Sequence, residues 1–112
     1  MTTIERLQEW YRQCCDGDWE HTYGVKIDTL DNPRWLVKID LTRTDLQDKS
    51  FGAIQDGMRT DDGHPSESDW ICCSVKDNIF DGAGDPGKLE AILRVFLDWK
   101  DHHANQPVKV EP

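Results

Sequence analysis

The feature that most constrains the fold is a pair of segments, residues 23–27 and 35–41, in which apolar and polar side chains alternate. Alternation with a period of two places the apolar side chains of a β-strand on one face and the polar side chains on the other. Between the segments lies Asp31-Asn32-Pro33, whose residue types favour a turn. The two segments therefore predict an antiparallel β-hairpin that is half-buried.

A helix is predicted on the N-terminal side of this hairpin. Thr2 and Glu5 have the spacing of a capping box, in which each side chain accepts a hydrogen bond from the backbone amide of the other residue. Apolar side chains then recur at helical spacing at Ile4, Leu7, Tyr11 and Cys14. Because Gly17 is a plausible helix stop, we predict a helix over about residues 3–15.

The C-terminal half of the chain adds a strand and a second helix. Residues 70–75 are mostly apolar and precede Asp77-Asn78, a pair that is typical of a turn. Asp85 can cap a helix, and Pro86 suits its first position. The apolar stripe of this helix consists of Leu89, Ile92, Leu93, Phe96 and Leu97.

The order of these elements predicts the fold class. Together with a short strand near Phe51 and Ala53, it indicates an α+β fold in which an antiparallel sheet of about four strands carries the N-terminal and C-terminal helices on one face. Residues 60–66 have the composition of a loop. We assign residues 1–104 to a single domain and residues 105–112 to a flexible tail.

The acidic balance of the chain limits its partners. Its 112 residues include 22 Asp and Glu against 13 Lys and Arg, a net charge of −9. Such a surface repels nucleic acid and anionic membrane and attracts basic partners, although acidic loops can also serve solubility alone. Neither a membrane span nor a signal region is apparent, so we expect a cytoplasmic protein with reduced cysteines. The oligomeric state stays open.

Two acidic segments are candidate partner-binding surfaces. The first consists of Asp16, Asp18, Trp19 and Glu20. The second consists of Asp61, Asp62, Glu67 and Asp69. Aromatic residues often anchor interfaces, and a rim of like charge selects an oppositely charged partner. For the first segment the residues favour equally an alternative, in which Trp19 packs on the core while the acids stay solvated.

The segment from residue 14 to residue 21 also suggests a metal site as an alternative function. It contains two cysteines, three carboxylates and a histidine. Its carboxylates have the spacing that opens a calcium loop, but His21 and Ile27 stand where an EF-hand needs glycine and glutamate. Cys72 and Cys73, which are adjacent on a predicted strand, would point to opposite faces and could not both bind one ion. A small metal-binding domain or metal-dependent enzyme built on residues 14–21 therefore stays the second hypothesis.

No motif predicts a cofactor or a catalytic centre. Residues 82–87 match the G-x-G-x-x-G pattern of dinucleotide sites, but the chain ends before the second parallel strand that such a site requires. We interpret this stretch as a capping turn before the last helix. Since no local signature joins a histidine to a nucleophile, we predict neither an enzyme nor a cofactor.

A long run of residues resembles a known family. It comprises Glu9-Trp10-Tyr11, residues 15–21, residues 23–27, residues 29–33, Trp35 and residues 37–41. Later pieces that fit the same pattern are Asp69-Trp70, residues 80–84 and the helix from Leu89 to Trp99. Over about residues 4–100 the chain is similar to the immunity protein 53 family of bacterial polymorphic toxin systems.

This resemblance implies an antitoxin. A member of the family is expected to bind the toxin domain encoded beside it and to neutralise that domain, which protects the producing cell. The resemblance supplies no catalytic or toxin-contacting residues. The chain departs from the family pattern in the long acidic loop from Asp56 to Asp69 and in Cys14 and Cys72. A basic toxin such as a nuclease would suit the acidic surface, and a general acidic adaptor is a third, weaker alternative.

Overall fold

The computed structural model describes residues 1–57 and 69–104. The predicted loop at residues 60–66 and the predicted tail at residues 105–112 lie outside the described residues. The helices are α1 (Thr3–Cys14), α2 (Trp19–Thr22) and α3 (Leu89–Ala104). The strands are β1 (Val25–Leu30), β2 (Arg34–Asp40), β3 (Ile54–Asp56), β4 (Ile71–Lys76) and β5 (Ile79–Gly84).

The five strands form one antiparallel sheet in the order β1-β2-β5-β4-β3. The α+β class is confirmed, and the sheet has one strand more than the predicted four. Both predicted turns connect adjacent antiparallel strands. At the second turn Asp77 and Asn78 have φ values of 53° and 60°, and positive φ at both positions is what a two-residue hairpin loop of type I′ requires.

The additional strand, β5, includes residues that the sequence assigns to a capping turn. Gly82 pairs with Val37 of β2 on one side and with Cys73 of β4 on the other. A Cβ atom added at Gly82 would lie 2.4 Å from Cγ2 of Ile92 in α3. The glycine therefore allows α3 to pack closely on the middle of the sheet. The capping-turn interpretation is wrong here, and α3 begins at Leu89 instead of near Pro86.

The first helix begins as predicted but buries a different face. Thr2 N donates to Glu5 Oε1 over 3.0 Å and Glu5 N donates to Thr2 Oγ1 over 3.1 Å, so the capping box is confirmed. Ile4 and Tyr11, which the sequence places on the apolar stripe, are 54% and 39% exposed. The buried side chains of α1 are those of Thr3, Leu7 and Trp10.

The packing of α1 against its neighbours explains why it buries a different face from the predicted one. α3 contacts β2, β4 and β5, whereas α1 packs against α3. Trp10 meets Phe96 of α3 edge-on, with 5.0 Å between the ring centroids. Arg6 of α1 donates to Asp98 over 3.1 Å and to Asp101 over 2.7 Å, which ties the two helices together. Trp10 therefore points into the core and Ile4 does not.

The core lies between α3 and one face of the sheet. Strand residues with fully buried side chains include Val37, Ile39, Cys73 and Phe80, and they meet Ile92, Phe96 and Leu97 of α3. Among the described residues, no helix is long and apolar enough to cross a membrane.

Candidate partner-binding surface

The first acidic segment forms a tight turn between α1 and α2. Asp16 Oδ1 accepts hydrogen bonds from the backbone amides of Asp18 and Trp19, both over 2.9 Å. The carboxylate of Glu20 accepts from the amides of Asp16 over 3.0 Å and Gly17 over 2.9 Å. The amides of Trp19 and Asp18 lower the pKa of Asp16 because they stabilise its charged form. Two of the three carboxylates therefore hold the backbone of the turn.

Trp19 lies in the core and is only 1% exposed. Its indole nitrogen donates to the carbonyl oxygen of Thr42 over 2.9 Å, and its ring meets that of Trp10 edge-on at 6.0 Å. The structure thus follows the alternative in which Trp19 packs inward while the acids around it face solvent. Trp19 is not available as an exposed interface anchor, because folding already buries its ring and satisfies its indole N–H group.

The carboxylates of the α1–α2 turn lie near one more acid and several basic side chains. Asp18 pairs with Arg43 over 2.7 Å, and the side chain of Asp18 stays 67% exposed. Asp16, Asp45 and Arg43 line the same cavity of about 260 Å³, which Lys100 and His103 also line. We call the four acids of this region the acidic corner; its members are Asp16, Asp18, Glu20 and Asp45.

Most of the second acidic segment falls outside the described residues. Asp61, Asp62 and Glu67 do so, and only Asp69 can be placed. Its side chain is 90% exposed and accepts from Lys88 Nζ over 2.7 Å. Asp69 and the acidic corner therefore stay candidates for partner contact.

Sequence reasoning missed the buried carboxylate of Asp85. The predicted helix cap instead accepts from the amide of Trp70 over 2.9 Å, the amide of Gly87 over 2.8 Å and Lys88 Nζ over 2.8 Å. The ion pair with Lys88, together with these amides, lowers the pKa of Asp85 to about 2. Asp85 thus joins the start of β4 to the turn that precedes α3, a contact between distant segments that no local pattern could predict.

The metal hypothesis gains no support from the geometry. Among the described residues, which include all of 14–21, no group of three or more His, Cys, Asp or Glu side chains could hold a metal ion. Burial raises the pKa of the Cys14 thiol to about 11 and that of Cys73 to about 12. Both effects disfavour the thiolate, which is the form that binds metals.

A groove between α1 and β1 is a further surface that the sequence did not predict. Its volume is about 510 Å³, and apolar or aromatic side chains make up much of its lining. These are Ile4, Leu7, Tyr11, Tyr23 and Val25. We call it the α1–β1 groove. The residues of this groove belong to the apolar stripe of the first helix and to the alternation of the first strand, and both patterns predict side chains that face the core.

Comparison with known proteins identifies a family. A family model described as immunity protein 53 matches residues 4–101, which confirms the resemblance seen in the sequence. No curated protein and no solved structure matches the chain.

Proposed function

This chain belongs to the immunity protein 53 family, and we propose that it neutralises a cognate toxin domain by binding it through an acidic surface. The family supports an immunity role, implies a toxin partner and is generally non-enzymatic. The observation that carries the proposal is the extent of the family match, which includes α2, the five described strands and all but the outermost residues of α1 and α3.

The charge of the chain supports a basic toxin, such as a nuclease, as the target. A protein that binds nucleic acid presents cations to phosphate groups, and a net charge of −9 attracts such a surface over a long range. We propose that the two meet in the cytoplasm of the producing cell. The carboxylates then compete with phosphate for the same cations.

Within the acidic corner, the carboxylates differ in how freely they can act on a partner. Asp16 and Glu20 are bound to backbone amides of the turn, so replacing either one would also disturb the fold. Asp18 caps no backbone amide and is mostly exposed, although it pairs with Arg43. Among the three carboxylates of the α1–α2 turn, Asp18 is therefore the one whose charge can be reversed with the least structural effect.

The first experiment is co-expression with the toxin domain encoded by the neighbouring gene. We expect restored growth and a co-purifying complex. Growth arrest without a complex would contradict the antitoxin function with this partner.

The second experiment tests electrostatic steering by measuring association rates at about 10 mM and about 1 M salt, where the screening lengths are about 30 Å and 3 Å. We expect Asp18→Lys to slow association on the order of tenfold at low salt and much less at high salt. Glu90→Lys is a matched control, because Glu90 is 65% exposed and pairs with Arg94 on α3.

The second acidic segment enters the same assay as a triple variant in which Asp61, Asp62 and Glu67 are replaced by lysine. Slowing by one variant alone would identify the segment that faces the toxin. If the wild type, Asp18→Lys and the triple variant associate at equal rates at low salt, the electrostatic part of the proposal is wrong.

A further inference from the structure

Several apolar side chains that the fold leaves exposed lie in the α1–β1 groove or next to it. The large hydrophobic side chains exposed in the described part of the chain are Met1, Ile4, Tyr11, Ile27 and Leu30. Ile4 and Tyr11 line the groove from α1. Ile27 is 42% exposed and lies on the same face of β1 as Val25, which lines the groove from the sheet. Three of these five side chains thus lie on one side of the molecule.

The fold explains why this surface stays open. In register, Ile27 lies beside Val37, which α3 buries completely, so Ile27 belongs to the helix-covered face of the sheet. β1 is, however, the edge strand, and α3 contacts only β2, β4 and β5 closely. α1 turns Trp10 toward α3 and leaves Ile4 and Tyr11 beside the edge. Neither helix covers this part of the sheet.

Negative charge at one end of the groove favours a partner with a basic segment. The cations of α1 are already paired, Arg6 with the acids of α3 and Arg12 with Glu9. At the Tyr11 end of the groove, the ring of Tyr11 lies 6.0 Å from that of Trp19, inside the turn that carries the acidic corner. Asp40 also lines the groove, and Lys26 and His21 are the basic side chains there.

We infer that the α1–β1 groove receives an apolar side chain from a basic segment of the cognate toxin, whose cations pair with the acidic corner. This inference rests on the proposed function and assigns to it the surface that holds the partner. Well-packed apolar and aromatic contacts act mainly on dissociation, whereas surrounding charges act mainly on association. The groove and the corner therefore have separable kinetic effects.

The test compares two side chains of the same strand. Ile27 and Leu30 are similarly exposed, at 42% and 46%, but they lie on opposite faces of β1. Binding to the toxin domain of the neighbouring gene is measured for Ile27→Ala, Tyr11→Ala and the control Leu30→Ala. Tyr11 lines the groove and Ile27 lies next to it on the same face of β1 as Val25. We expect both variants to dissociate about tenfold faster with nearly unchanged association, and the control to behave as the wild type.

The possible outcomes separate this inference from the proposed function. If the wild type binds the toxin and the groove variants bind equally well, the groove assignment is overturned while the antitoxin function stands. If the wild type does not bind, both fail. A wild-type dimer that Ile27→Ala separates, with toxin binding unchanged, would assign the groove to a second copy of the chain and would also overturn the inference. Thermal unfolding of each variant confirms that the fold is retained.

Discussion

The buried carboxylate of Asp85 offers a quantitative test of what holds the second half of the fold together. The substitution Asp85→Asn keeps the shape of the side chain and removes its charge. In the protein this carboxylate accepts from the amides of Trp70 and Gly87 and from Lys88 Nζ. An asparagine can satisfy some of these donors with its carbonyl oxygen, but its amino group must then face another donor. We expect the variant to fold with a lower free energy of unfolding.

The size of the loss follows from the pKa. In the folded protein the pKa of Asp85 falls from 3.8 to about 2, chiefly because of Lys88. At about 1.4 kcal/mol per pKa unit, this shift corresponds to about 2 kcal/mol of stability. The side chains of Asp85 and Lys88 are only 10% and 24% exposed, so solvent screens the pair little. Because the folded pKa is the lower one, the stabilisation is complete above about pH 4 and disappears as the pH falls through about 2.

The assay is urea unfolding of the wild type and Asp85→Asn at pH 7 and at pH 3. At pH 7 we expect the variant to lose about 2 kcal/mol, which lowers the urea midpoint by about 1 M. At pH 3 about half of the difference remains, since the wild-type carboxylate is then partly protonated in the unfolded chain. Asp45→Asn, at an exposed position, controls for the loss of one negative charge. Equal midpoints at pH 7, or a difference that does not change with pH, would refute the reasoning.

Two further predictions concern the core. We expect Gly82→Ala to lower the free energy of unfolding by about 1–3 kcal/mol, because the added Cβ would lie 2.4 Å from Ile92 Cγ2. The control Gly24→Ala, where the Cβ has open space, should leave the urea midpoint unchanged. Equal midpoints for the two variants would contradict the close approach of α3. We expect a thiol reagent at pH 8 to leave Cys73 unmodified in the folded protein, because burial raises the pKa of this thiol to about 12. In urea the same reagent should modify all four cysteines. Rapid labelling of Cys73 in the folded protein would contradict its burial.

The elements that the sequence predicted well are those specified by local patterns. The capping box at Thr2, the first hairpin and the turn at Asp77-Asn78 each depend on residues within a few positions of one another. Such patterns act on the backbone directly and survive in the folded protein. β5 was missed because glycines that predict a turn locally serve here to admit Ile92 of α3, which only the packed structure reveals.

The candidate site was harder to predict because periodicity shows that a helix has an apolar side but not which neighbour covers it. The stripe that includes Ile4 and Tyr11 predicts the inner face of α1, whereas contact with α3 selects Trp10 and leaves those two side chains exposed. For Trp19 the sequence left an exposed interface anchor and a buried ring equally open, and the structure shows that the ring is buried. Composition around a residue therefore says little about the direction of its side chain.

The carboxylates of the acidic corner differ in how they contribute to the stability of the fold and to binding of the partner. Asp16 and Glu20 are bound to the turn that places Trp19 in the core, so their negative charge is held at a fixed position. A carboxylate that the fold already holds in place loses no side-chain conformational entropy when a partner binds, whereas a mobile carboxylate does. The carboxylate of Asp18 must instead be shared between Arg43 and the partner's cations. If the acidic corner meets the toxin, removing Arg43 should therefore strengthen binding, because its positive charge opposes the same basic segment. Unchanged binding of Arg43→Gln, with the stability of the fold unchanged, would mean that the toxin approaches another face, and weaker binding would mean that Arg43 itself contributes a favourable contact to the toxin.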